Sequence, residues 1–347
     1  MISRRVVLAA GASRLLAARL PEYGVRTIDL VRESTVIDML GLLTLDYRRL
    51  SAWQTATGAF PVQQYERLKR SGVTVIHPAV GFVQGDIRNS SQGDLTRWNL
   101  FLAAHADKFL RVDRTADVAR AKAAGKIGVI LGLQNSAHFR SLGDVDAFYA
   151  MGQRVSQLTY YNNLLGGGST DPACGLSQYG AQVVERMNEL GMAIDVSHCS
   201  DQTTLDAIEA SRKPVLVTHS NCRALVPGSV RCKSDEAIRK LAAKGGVFGV
   251  TLVRGFVKAN GPATMEHVLQ HIDHLVSVAG VEHVGLGTDV DLDGRDGAGP
   301  RRLDLDGGYA DKIFQVAEGL VRRRYRDADI RAILGGNFRR VLGEIWG

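Results

Sequence analysis

The stretch Met192-Ala193-Ile194-Asp195-Val196-Ser197-His198 constrains this chain more than any other. Five mostly apolar residues run into a Ser-His pair, and Asp201, ahead of Leu205 and Ile208, then opens a helical pattern. Shortly afterwards Val215-Leu216-Val217-Thr218-His219 repeats the arrangement. A parallel strand buried on both faces reads as a continuous apolar run. A polar residue at its carboxyl end faces the loops, where α/β folds keep their chemistry. Two strand-end histidines in consecutive βα units point to a metal or acid/base site.

The same period runs through the chain. Apolar runs at 34–40, 73–77, 127–134, 155–161, 192–196, 215–218, 247–252 and 283–289 alternate with helical patterns, the longest from Thr264 to Ala279. Eight such units predict an α/β chain closed into a (β/α)8 TIM barrel, a single domain over residues 30–347 with C-terminal helices. An open doubly wound sheet is the alternative. It normally carries Gly-x-Gly-x-x-Gly after its first strand, and Met39-Leu40-Gly41-Leu42 lacks that pattern. Gly166-Gly167-Gly168 lacks the Lys-Ser/Thr of a phosphate loop and reads as a flexible loop.

The net charge of +7 would suit a nucleic-acid partner, but the basic residues are scattered and aromatics make up 6% of the chain. With little stacking surface, nucleic acid is disfavoured. Cys174, Cys199, Cys222 and Cys232 show no CxxC spacing, and a Cys222–Cys232 pairing stays open. Ser3-Arg4-Arg5-Val6-Val7-Leu8, followed by Ala- and Leu-rich residues to Pro21, reads as a twin-arginine export signal over residues 1–21, which implies a periplasmic protein. The alternative is a basic amphipathic start. No apolar run reaches the ~18 residues of a transmembrane helix.

In a barrel, Gln134, Asn162, His198, His219 and Asp289 end their strands at one mouth. Two imidazoles and a carboxylate form a zinc ligand set with a proton carrier beside it. His77 ends the second strand and is a further candidate. His267, His271 and His274 share one helix face, but His-Glu-x-x-His is absent and the helix belongs to the outer ring, so no metal role is expected there. Cys199 faces away from its neighbour His198 and reads as packing.

At this point the residues resemble a family. Asn188-Glu189-Leu190-Gly191-Met192-Ala193-Ile194-Asp195-Val196-Ser197-His198, Thr218-His219-Ser220-Asn221-Cys222-Arg223, His283-Val284-Gly285-Leu286-Gly287-Thr288-Asp289 and Gly335-Gly336-Asn337-Phe338 are similar to the membrane (renal) dipeptidases, over roughly residues 120–345. The resemblance implies a barrel of the metal-dependent hydrolase type. It also implies a two-zinc site that hydrolyses dipeptides and tolerates a D-residue at the carboxyl end. His198 and His219 match the two histidines on one zinc. Asp289 matches the aspartate that handles the proton. Arg231, after a one-residue insertion, matches the arginine that holds the substrate carboxylate.

The chain also departs from that family. Asp38-Met39-Leu40-Gly41-Leu42 stands where the family has Asp-Gly-His-Asn-Asp, so leucines replace two zinc ligands. Gln134 replaces the bridging glutamate. The substrate-contacting histidine of strand four falls within Tyr160 to Asn162, where none occurs. Tyr160, Asn162, Gln134 and Arg231 are the candidate substrate contacts, and at most one zinc is expected. The expectation is a dipeptidase-like metallohydrolase acting on a dipeptide or related small amide. The alternatives are a catalytically silent ligand-binding barrel and metal-free acid/base chemistry by His198, His219 and Asp289. Oligomeric state stays open, with a homodimer among the alternatives.

Overall fold

Helix Gln178–Leu190 shows how the chain passes from helix to strand. The Ser177 hydroxyl accepts the Gly180 N–H at its start, and Gly191 ends it in the left-handed region at φ 76°, where the missing Cβ removes the steric penalty. Ala193–Asp195 is then a fully buried strand. Ser200 accepts the Thr203 N–H and starts helix Asp201–Ala210. His198 therefore lies in a short loop between a strand and a capped helix.

The structure, a computed structural model, describes residues 23–55, 60–292 and 309–347. The export signal read at residues 1–21 lies outside the described residues. The strands are β1 Ile37–Asp38, β2 Gly41–Leu42, β3 Val75–Ile76, β4 Phe109–Arg111, β5 Ile127–Val129, β6 Gly132–Leu133, β7 Val155–Gln157, β8 Ala193–Asp195, β9 Leu216–Ser220, β10 Val247–Val250, β11 Val284–Leu286 and β12 Val290–Asp291. The hydrogen-bonded order is β4-β5-β3-β1-β11-β10-β9-β8-β7-β6, all pairs parallel.

That order closes on itself. β5 and β6 are two halves of one extended segment, parted only by Ile130 and Leu131. β5 bonds to β3 and β6 bonds to β7, so the segment joins the ends of the sheet into an eight-membered parallel ring. The structure thus supports the barrel over the open sheet. β4, which the sequence reading missed, pairs with the free edge of β5 outside the ring. β2 and β12 pair with each other and prolong β1 and β11 at the mouth.

One end of the ring is stoppered. Phe338, Val341, Leu342 and Ile345 of the closing helix Asn337–Trp346 pack against Ile37, Val75, Val155, Ala193 and Leu216 from the strands. Gly285 admits the Phe338 ring, which a Cβ there would approach to 2.4 Å. The other end, at the strand carboxyl termini, carries the site. Among the described residues no helix is long and apolar enough to cross a membrane.

Gly166-Gly167-Gly168 is not the flexible loop the sequence suggested. Gly166 bridges Leu176 and Gly168 bridges Cys199, while the Ser200 N–H bonds to the Gly167 carbonyl. A Cβ on Gly168 would lie 2.6 Å from the Tyr160 carbonyl oxygen. These glycines allow a close backbone approach.

The three helix histidines each have a partner of their own. His271 bonds to the Val257 carbonyl at 3.0 Å, His274 to Asp235 at 2.8 Å, and His267 to the Thr264 hydroxyl at 2.8 Å.

Burial holds His138 and His271 down at about 4 and also lowers His77. A base depressed in the fold binds its proton more readily in the unfolded chain. Its stabilisation is therefore complete above the ordinary value of 6.5 and is lost as pH falls toward 4. For His138 and His271 that amounts to about 3 kcal/mol each over the full window. Buried Asp94, raised to about 6 by burial, works in the opposite direction, but it is one group against three. The urea midpoint is expected to be clearly lower at pH 4.5 than at pH 7, and an unchanged midpoint would contradict this account.

Candidate active site

His198 and His219 come together at the mouth. Their Nε2 atoms lie 3.0 Å apart, with ring centroids at 5.1 Å. His219 is buried and His198 half-buried. The Tyr160 ring stacks on His198 at 4.0 Å and 23°.

A buried relay sets the His219 ring. Asp195, at the end of β8, accepts the N–H of Ser197 at 2.9 Å and of Thr218 at 3.0 Å, together with the hydroxyls of Ser197 and Thr218. Because the Thr218 hydroxyl donates to the carboxylate at 2.7 Å, its oxygen accepts from His219 Nδ1–H at 2.8 Å. The His219 Nε2 lone pair then faces His198. A second carboxylate repeats this device. Asp38, at the end of β1, accepts the Leu40 N–H at 3.1 Å, the Thr288 N–H at 2.8 Å and the Thr288 hydroxyl at 2.6 Å. Thr218 precedes His219 as Thr288 precedes Asp289, so each carboxylate anchors the residue just before a site side chain. Sequence reasoning missed this relay. Its signal was a repeated Ile-Asp pair within an apolar run, at Ile37-Asp38 and Ile194-Asp195.

Asp289 sits at φ 55°, a region sparsely used by residues other than glycine but tolerated by Asp. Its N–H bonds to the Leu40 carbonyl at 2.8 Å, which places it beside the altered first strand. Leu40, Leu42 and Ala79 form a separate small apolar cluster there, with Leu45 against it.

Asp289, His198, Tyr160 and Gln134 line a cavity of about 220 Å³ together with Leu42, Leu43, Leu50, Trp98 and Phe256. That apolar part of the lining was not anticipated either, since its residues come from scattered loops and helices. Gln134 is anchored through its Nε2 to the Ala79 carbonyl at 2.8 Å. Burial pushes the Tyr160 phenol above its usual value, so it keeps its proton at neutral pH.

Two of the expected site residues take other roles. Asn162 is exposed, donating to Asp171 at 2.9 Å and accepting the Gly168 N–H at 2.9 Å, and it braces the loop after β7 rather than lining the cavity. His77 lies inside the barrel at 1% exposure, its Nδ1 on the Met39 carbonyl at 2.8 Å, and its Nε2 is buried without a partner.

Arg231 is buried behind the cavity. Its Nη atoms bond to the carbonyls of Ser197 and His219 and to the Ser220 hydroxyl, and it lies 5.2 Å from the Phe256 ring. It therefore ties together the ends of β8 and β9. Only its Nε is left buried without a partner. Arg231 also helps hold His198 well below its ordinary value, with burial the larger cause.

The donor set fits one metal ion better than two. Zinc–nitrogen bonds of ~2.0–2.1 Å at a tetrahedral angle place two ligand nitrogens about 3.3 Å apart, close to the 3.0 Å between the histidines. A relay to a carboxylate is also the usual support of a metal-binding histidine. Among the described residues, however, no group of three His, Cys, Asp or Glu side chains converges to hold an ion. Where the first-strand ligands would stand there are leucines, and a neutral amide bridges two cations poorly. The residues do not fit a two-metal centre.

The sequence profile described as Membrane dipeptidase (Peptidase family M19) matches residues 26–346, which extends the likeness back through β1. An uncharacterized dipeptidase of Schizosaccharomyces pombe is 33% identical over 229 residues, 62% of this chain and 53% of that protein. Dipeptidase verJ of Clonostachys rogersoniana is 30% identical over 246 residues, 70% of this chain and 61% of that protein. The chain thus spans 53% and 61% of the length of these curated relatives. Among solved structures, an amidohydrolase from Pseudomonas aeruginosa superposes with a TM-score of 0.78 at 26% identity, covering 92% of this chain and 99% of that one.

Proposed function

Because the chain belongs to the membrane dipeptidase family, we propose that it hydrolyses dipeptides or related small amides with at most one metal ion, held by His198 and His219. The observation that carries this reading is the pair of Nε2 atoms 3.0 Å apart, with the His219 lone pair fixed by the Thr218–Asp195 relay. A bound divalent ion would supply Lewis-acid polarisation of the scissile carbonyl. Asp289, at the cavity wall, takes a proton from the attacking water and returns it to the leaving amine. The protonated Tyr160 hydroxyl offers a hydrogen bond to the carbonyl oxygen as charge develops there. Gln134 positions the amide. Arg231, buried behind the cavity, holds the ends of β8 and β9 so that His198 and His219 keep their places. Apolar walls limit water around the bond.

Metal analysis after zinc reconstitution, run beside a broad dipeptide panel, tests the proposal. We expect close to one equivalent of zinc and cleavage that a chelator stops. Two equivalents would overturn the one-ion site, and metal-free protein that cleaves nothing would overturn the hydrolase. A second reading, a ligand-binding barrel without turnover, is favoured by the Leu40–Leu42–Ala79 cluster. It predicts ligand-dependent thermal stabilisation with no hydrolysis.

A further inference from the structure

We infer that Lys233 is a positioning residue for His198: its side chain, with that of Arg231 two residues earlier, fixes the backbone carbonyls on either side of that histidine. The inference deepens the proposed reading of His198 and His219 as the pair that holds one metal ion, and its functional consequence rests on that reading. Lys233 is 1% exposed, and its Nζ donates to the Cys199 carbonyl at 2.8 Å and to the Thr204 hydroxyl oxygen at 2.9 Å. The Thr204 hydroxyl donates its own proton to the Ser200 carbonyl at 2.7 Å, which leaves its oxygen to accept from Lys233. Arg231 Nη1 bonds to the Ser197 carbonyl, and the His198 carbonyl accepts the Ser169 N–H at 2.8 Å. The consecutive carbonyls of Ser197, His198 and Cys199 therefore each have a donor, and the outer two are held by cations from one short segment. That segment is tied in turn to the residues just beyond His219. The Lys233 N–H bonds to the Asn221 carbonyl and the Arg223 N–H to the Lys233 carbonyl, both at 2.9 Å. Residues 231–233 thus join the His198 loop to the end of β9 and set one imidazole against the other.

Lysine is rarely buried completely unless an opposite charge pairs with it, and here both partners of Nζ are neutral oxygens. Burying a charge in that setting costs stability, and an apolar side chain of similar length fills such a space as well or better. Stability alone therefore gives no reason for a lysine at this position. What an apolar side chain cannot do is donate to the Cys199 carbonyl. Cys199 follows His198 directly, where the chain turns from β8 into helix Asp201–Ala210, and a loop whose carbonyl has lost its donor relaxes to find another. The Nε2 atoms of His198 and His219 lie 3.0 Å apart, a spacing that suits a shared ion only while both rings keep their places.

Two substitutions in the full chain separate positioning from stability. Lys233→Met removes both bonds made by Nζ, whereas Thr204→Val removes the hydroxyl and leaves the bond to Cys199. Isotope-labelled histidine in the metal-free protein reports the ring itself, the His198 signal being assigned by its loss in His198→Asn. Lys233→Met is expected to broaden or split that signal and to weaken zinc binding in calorimetry by about 10–100-fold, as for other groups that support a metal-binding histidine. Its thermal unfolding is expected to stay within about 5 °C of the unaltered protein. Thr204→Val is expected to lower the unfolding temperature and to leave both the signal and the zinc affinity unchanged. An unchanged His198 signal in folded Lys233→Met overturns the inference. So does a Thr204→Val protein that loses zinc affinity as strongly as Lys233→Met, because the effect is then one of general stability. Where circular dichroism shows that Lys233→Met does not fold, Lys233→Gln, whose shorter amide does not span both acceptors, is held to the same outcomes. Unaltered protein that takes up no zinc overturns the one-ion reading, and the imidazole signal alone then decides whether Lys233 positions His198.

Discussion

His219→Ala is expected to lower kcat/KM for whatever the protein cleaves by about three orders of magnitude and to abolish metal retention, while the barrel stays folded. The separation of the two effects follows from what His219 contributes. Its backbone does the structural part, its N–H bonding to the Ser197 hydroxyl at 3.1 Å and its carbonyl to Arg231 at 2.8 Å. Both contacts survive the substitution. The imidazole contributes Nε2, one of two nitrogens that converge at the mouth, and a site with a single remaining imidazole falls well short of the three protein ligands usual for catalytic zinc. Thr218 loses one partner but still donates to Asp195. Steady-state kinetics, metal analysis and thermal unfolding on one preparation check all three points. A variant that keeps a tenth of the activity would remove the histidine pair from the mechanism.

The barrel was legible because a strand buried on both faces leaves a continuous apolar run, and most ring strands did so, from Val36-Ile37 to Val284-Gly285-Leu286, with Val155-Ser156-Gln157 the polar exception. β4 was not, since it lies outside the ring and its pattern at Phe109-Leu110-Arg111 becomes progressively exposed. Strand-end position pointed to His198, His219, Asp289 and Gln134, which the structure brings to the mouth, whereas Tyr160 entered only through the resemblance. The same rule misplaced Asn162, because β7 ends at Gln157 and the chain has already turned into the loop. Arg231 was legible only through resemblance. Its bonds to the Ser197 and His219 carbonyls join segments distant in sequence, and no local pattern announces such a strut. The apolar part of the lining was likewise hidden, since Leu50 and Trp98 lie within helices Tyr47–Thr55 and Ile87–Ala104, away from the strand ends, and only the fold brings them to the cavity.

Asp195→Ala is expected to cost about 3–5 kcal/mol of stability, among the largest effects available to a single substitution in this chain. The buried carboxylate accepts two backbone N–H groups and two hydroxyls. Deleting it leaves the Ser197 and Thr218 N–H groups buried without an acceptor, and the side chains next to both site histidines lose their anchor. Asp195→Asn separates stability from function. Its amide oxygen still accepts from Ser197 and from the Thr218 N–H, so most of the fold energy is kept. Its NH2, however, donates to the Thr218 oxygen and turns that hydroxyl proton toward His219 Nδ1. The ring must then carry its proton on Nε2, where a metal or His198 needs a lone pair. Loss of support of this kind typically costs 10–100-fold in metal affinity or activity. Asp195→Asn is therefore expected to unfold close to the unaltered protein in urea yet to retain zinc and turnover one to two orders of magnitude more weakly. Equal zinc affinity in the two proteins would show that the relay supports the fold alone.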